Sequence, residues 1–109
     1  MGGKTESFSI KNWSEQDQPR ERLVNKGKEA LSDAELLAIL IGSGTKDESA
    51  VALAKRILGS TGNNINELGK LSLSRLTKFK GIGVAKAVTI IAALELGRRR
   101  IKHKTWGQM

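Results

Sequence analysis

Apolar positions along the chain recur at helical spacing, and strand signals do not recur. Pro19 suits a first helical turn, Leu23 and Val24 follow, and Gly27 sits where a helix stops, so residues 19–26 are predicted as a short helix. Ser32 and Glu35 have the spacing of a capping box, which starts a second helix whose Leu36, Leu37, Ile39, Leu40 and Ile41 are dense enough for a buried element. Gly42-Ser43-Gly44 ends it. Ala50, Val51, Leu53, Ala54, Ile57 and Leu58 then cover one broad helical face up to Gly59. Asn64 and Glu67 offer a weaker capping box for a short helix around Ile65 to Leu68, and Ser72 caps a further one with Leu73, Leu76 and Phe79 as its apolar stripe. The longest element runs from Val84 to about Arg100, roughly 25 Å at about 1.5 Å per residue. Its expected stripe is Val84, Ala87, Val88, Ile91, Leu94 and Glu95 with Ile90 beside it, and Gly97 marks a place where it can fray. The expected fold is all-α, a compact bundle of about five to six helices.

The two halves echo one another. Both "LSDAELLAILIGSGTKDESAVALAKRIL" and "LSLSRLTKFKGIGVAKAVTIIAALEL" run from a Leu-Ser cap through a short apolar helix and a Gly-x-Gly turn into a longer helix. Duplication of one helix pair would let two units bury apolar faces that neither could bury alone, and chance likeness between helix pairs is the other reading.

Charge changes the picture more than composition does. Residues 1–68 carry 9 Lys/Arg against 10 Asp/Glu, whereas residues 69–109 carry 10 against the single Glu95. A field concentrated at one end attracts phosphate backbones or an acidic partner; a merely solubilising tail is the bland alternative. The chain has no cysteine, which removes disulfides and thiolate zinc sites, and no apolar run reaches the roughly 18 residues of a membrane span. The N-terminus lacks the apolar core of a signal peptide, so the expected location is cytoplasmic.

The basic half has its sharpest feature at "KFKGIGVAK", residues 78–86. The first N–H groups of a helix have no internal partner, and the peptide dipoles leave partial positive charge there. Gly81 and Gly83 allow a sharp turn and a close ligand approach to the backbone, Ile82 between them is expected in the core, and Lys78, Lys80 and Lys86 supply charge. Such a site grips a sugar-phosphate chain and reads no base edge.

The stretch "LTKFKGIGVAKAVTIIAALELGRR" is similar to a helix-hairpin-helix motif, placed at about residues 72–97. The span from "IKNWSEQDQPRERLVNKG" through "ALSDAELLAILIGSGTKDESAVALAKRIL" to that motif, residues 8–100, resembles the N-terminal region of the RadC family, also called UPF0758. The resemblance implies a helical domain akin to the tandem helix-hairpin-helix modules of DNA repair proteins. It also implies a DNA phosphate held by Gly81, Gly83, Ala85 and Lys86 and, as in some members, a monovalent cation on the carbonyls of Thr77, Phe79 and Ile82. Val84 stands where the wider motif often has proline, and the first repeat departs further, with "TKDE" between its glycines and the next helix. Residues 1–7 are expected as a flexible tail and 101–109 as a basic tail or linker.

Full-length RadC proteins resemble JAMM-type metallopeptidases in their C-terminal half, which this chain lacks. Its one histidine, His103, cannot make a catalytic zinc site, so the chain is taken as an excised N-terminal domain or truncated relative with no enzyme activity of its own. A glycosylase reading lacks its aspartate beyond the hairpin: Asp47 is the last in the chain, and Glu95 fits a solvated or ion-paired side chain. "IGSGTKD" lacks the Gly-Lys-Ser/Thr order of a phosphate loop. The competing reading is a protein-interaction module that positions the missing JAMM-like half or binds a repair partner, with the glycines only closing a tight turn. Trp106, in the polar, basic tail, is expected as an exposed side chain, with stacking on single-stranded nucleic acid as the minor alternative.

Overall fold

A computed structural model describes residues 17–107, with side chains to residue 101. The expected tail over 1–7 and the side chains of His103 and Trp106 lie outside the described residues. Six α-helices, one 3-10 turn and no strand occur among them: α1 (Gln18–Lys26), the 3-10 turn (Lys28–Ala30), α2 (Asp33–Ile41), α3 (Ala50–Ser60), α4 (Ile65–Leu68), α5 (Leu73–Leu76) and α6 (Val84–Gly107). No helix among the described residues is long and apolar enough to cross a membrane. The chain divides into two compact units at Arg56/Ile57. The charge divides there too, since residues 1–56 hold 9 basic and 9 acidic side chains and residues 57–109 hold 10 and 2.

In the first unit, α1 begins with Pro19 buried and stops at Gly27, whose φ of 93° is open to glycine at little cost and whose N–H donates to the Leu23 carbonyl at 2.9 Å. The capping box of α2 is complete. Ser32 Oγ accepts from the Glu35 N–H at 3.1 Å, and Glu35 Oε1 accepts from the Ser32 N–H at 2.8 Å. The hydrogen bond from the Ser32 N–H to the charged form, with smaller help from the Ser32 hydroxyl and the Arg22 charge, holds the Glu35 carboxyl below its ordinary range against partial burial. The buried face of α2 is Ala34, Leu37, Ala38 and Ile41, an i, i+3, i+4, i+7 stripe, whereas Leu36 is exposed and Ile39 and Leu40 are half-buried. A helix apolar on nearly every side buries only the face its neighbours reach, and the alanines allow the closest approach.

The loop from Gly42 to Ser49 explains why the first Gly-x-Gly differs from the second. A Cβ on Gly44 would lie 2.1 Å from the Glu48 carbonyl oxygen, so the backbone packs on itself there and only glycine fits. Thr45 Oγ1 accepts from the N–H groups of Asp47 and Glu48, and Ser49 Oγ accepts from the Ala52 N–H. These side chains occupy amides that an anion at the start of α3 would need.

In the second unit, Asn64 caps α4 through Oδ1, but Glu67 turns away to pair with Lys70 at 3.0 Å, leaving the expected box half made. Ser72 caps α5 by accepting from the Arg75 N–H. Thr77 Oγ1 then donates back to the carbonyls of Leu73 and Ser74, which helps to close α5 after four residues. Leu76 is fully buried, Phe79 half-buried and Leu73 exposed, so the expected stripe of α5 is interrupted by its early end.

The last helix departs from expectation twice. It continues past Arg100 to Gly107, because no proline or second glycine follows Gly97 before residue 107 and basic residues suit a helix C-terminus. Its buried face is Ala87 and Ile90 with Ile91 and Leu94 half-buried, while Val84 and Val88 are 62 % and 51 % exposed. Apolar residues occupy so much of its circumference that spacing alone centres the stripe about a sixth of a turn away from the true one.

Candidate functional site

The hairpin Thr77–Gly83 joins α5 to α6. The Ile82 N–H donates to the Phe79 carbonyl at 3.0 Å, Ile82 is 4 % exposed, and Gly81 has φ 99°, a left-handed conformation that a Cβ would strain. Ile82 is thus the core pin expected of it, and Gly81 is explained by the turn. Gly83 is different. It has no left-handed φ, is exposed, and a Cβ built on it meets nothing within 4 Å. Neither backbone conformation nor packing inside the chain calls for a glycine at that position.

The Ala87 N–H donates to the Gly83 carbonyl at 3.0 Å, a helical bond of the first turn. The N–H groups of Gly83, Val84 and Ala85 have no acceptor among the described residues. The first turn of α6 carries no acidic residue, so the positive end of the helix dipole is not offset locally. Val84 and Ala85 are exposed, which leaves these amides open to solvent.

Of the sequence-predicted residues, Gly81, Gly83, Ala85 and Lys86 come together at this end of α6. Lys86 is half-buried, its Nζ folded back to 3.5 Å from the Gly81 carbonyl oxygen. Lys78 and Lys80 lie in the turn itself and are exposed. Of the three carbonyls expected to hold a cation, those of Thr77 and Ile82 accept no hydrogen bond from the described residues, and that of Phe79 accepts one from Ile82. The donor set is neutral carbonyl oxygen, the kind that suits a weakly hydrated monovalent ion.

The arginines are not part of this site. Arg98 to Arg100 lie 14 to 16 residues along α6, about 21–24 Å from its start at about 1.5 Å per residue. Glu95 engages two of them: Arg98 Nε and Nη2 at 3.0 and 2.8 Å, and Arg99 Nε at 2.9 Å. Hydrogen bonds from Arg98 and then Arg99 lower the Glu95 carboxyl to about 2. The i, i+3 and i, i+4 spacing from Glu95 to the two arginines is the sequence signal for this fork. No group of three or more His, Asp or Glu side chains able to hold a metal ion occurs among the described residues.

The family model described as UPF0758 N-terminal matches residues 10–88. The chain is similar to a UPF0758 protein of Flavobacterium johnsoniae, 70 % identical over 93 residues, which cover 85 % of this chain and 40 % of that protein. It is likewise similar to those of Porphyromonas gingivalis, 49 % identical over 93 residues (84 % and 41 %), and Alkaliphilus oremlandii, 46 % identical over 92 residues (84 % and 40 %). The chain thus spans about 40 % of the length of the curated relatives it matches. No solved structure matches it. With a matched region that takes in both units and the hairpin at the start of α6, the chain belongs to the UPF0758 family and carries that family's N-terminal domain.

Proposed function

We propose that this domain is a sequence-independent DNA-binding module of a RadC-like repair protein, gripping the sugar-phosphate backbone at the hairpin before α6. The observation that carries this reading is Gly83, a bare, exposed glycine with no reason inside the chain, set beside open amides at an unneutralised helix end. A phosphate oxygen there takes hydrogen bonds from the N–H groups of Gly83, Val84 and Ala85, and the missing Cβ lets it come close. Gly81 shapes the turn, Lys86 stands over it, and Lys78 and Lys80 add long-range attraction. A monovalent cation on the carbonyls of Thr77, Phe79 and Ile82 would add positive charge behind the same phosphate. No base edge is read, so affinity is expected to be modest, salt-sensitive and indifferent to sequence.

In this reading the chain performs no catalytic step and acts in the cytoplasm. Titration of fluorescent duplex and branched DNA with the domain at two salt concentrations tests it. Binding that falls steeply with salt supports the proposal, and no binding at low salt turns the reading to a protein-interaction module.

A further inference from the structure

The outer side of α6 carries a second feature, a row that starts beside the hairpin and runs away from it. Val84, Val88, Ala92, Leu96 and Arg100 fall at i, i+4 spacing and form one row along the helix. All five are exposed, Leu96 at 71 %. Beside the end of the row, Ala93, Leu96, Gly97, Arg99 and Arg100 line a shallow, mostly apolar groove. Gly97 sits inside the helix, where glycine is less favourable than alanine, and a Cβ on it would meet nothing within 4 Å. An i±4n ridge next to a notch made by Ala93 and Gly97 is the relief into which another helix packs.

Charge selects the occupant. Residues 69–109 carry 10 basic side chains against one acidic, so a second copy laid on this face would bring like fields together. Arg100 closes the row and holds no ion pair among the described residues. An apolar helix face with an acidic residue at its rim matches both the ridge and the arginine. The relatives are about two and a half times as long as the matched region, since it covers 40 % of them. Covalent attachment gives that remaining chain an effective concentration in the millimolar range. We infer that the ridge Val84–Val88–Ala92–Leu96, with Gly97 and Arg100, docks an acidic amphipathic helix from the remainder of the full-length protein.

The chain has no cysteine, so Leu96→Cys provides a single thiol on the ridge. Its alkylation rate is measured in the 109-residue chain and in a chimera where this chain replaces the matching region of the Flavobacterium johnsoniae relative, the site being followed by peptide mass spectrometry. Docking predicts a rate lower by about tenfold or more in the chimera, the protection given by roughly 90 % occupancy of the docked state, restored by 1 M salt or by Arg100→Glu. Equal rates in the two proteins overturn the inference. Protection indifferent to salt and to Arg100→Glu overturns the acidic occupant, and protection in the isolated chain that grows with its concentration assigns the face to a second copy instead. Val88→Cys and Ala92→Cys, on the same row, give independent readings should Leu96→Cys perturb folding.

Discussion

Lys86 Nζ lies 3.5 Å from the carbonyl oxygen of Gly81, across the hairpin that precedes α6. At that distance the hydrogen bond is at the limit of the range, and it places the ammonium over the turn. A phosphate arriving at the open amides comes within reach of its charge. Lys86→Gln and Lys80→Gln are each expected to weaken DNA binding without regard to sequence. Each should also reduce the slope of log affinity against log salt by about one unit. Fluorescence anisotropy across a salt series measures both effects. Arg100→Gln, more than 20 Å along the helix by its rise of about 1.5 Å per residue, should leave the hairpin contribution unchanged.

The two hairpin glycines should behave oppositely. Gly83→Ala has the space and a permitted φ, so it is expected to stabilise the fold by about 0.4–1 kcal/mol through a less flexible unfolded chain. Gly81→Ala must adopt φ 99° and is expected to destabilise by about 1–2 kcal/mol. Urea unfolding followed by helical circular dichroism separates them.

The buried face of α6 makes a further pair. Ile90 is fully buried, and Ile90→Ala is expected to cost about 2–5 kcal/mol. Val84→Ala, at a 62 % exposed position, is expected to stay within about 0.5 kcal/mol. The stripe expected from spacing would have made the two costs comparable.

Acid should act on two carboxyls that the fold holds in their charged form. The Glu35 and Glu95 carboxyls are both held below the ordinary value of 4.5 in the folded chain, so the stabilisation each gives is present above that value and lost as pH falls through its lowered one. For Glu95 the loss comes only near pH 2. Carboxyl NMR titration checks both shifts. Ser32→Ala keeps the N–H that lowers Glu35 most, so it should return that carboxyl only part of the way toward its ordinary value, and it should cost about 1 kcal/mol by removing the cap.

Much of this was legible because helix ends announce themselves locally. Ser32, Asn64 and Ser72 cap the helices that their side chains predict, since capping depends on three or four neighbouring residues. The face that α6 buries was not legible, because Val84, Ala87, Val88, Ile90 and Ile91 span most of the helix and only tertiary neighbours choose among them. Its continuation to Gly107 was hidden for a similar reason, since Gly97 weakens a helix without ending one. At the site, the Gly-Ile-Gly turn and its lysines could be read directly. That Gly44 is demanded by the backbone of Glu48 while Gly83 is demanded by nothing inside the chain required coordinates, because both look alike in a Gly-x-Gly.

Gly83→Glu provides the most direct test. An acidic side chain at the start of α6 suits the helix dipole and is expected to leave stability unchanged or raise it by up to about 1 kcal/mol, while its carboxylate takes the place of the phosphate. With duplexes of two unrelated sequences at low and high salt, the parent domain should bind both equally and lose affinity steeply as salt rises. The folded Gly83→Glu variant should bind neither. A folded variant that binds as tightly as the parent would contradict phosphate recognition at this hairpin.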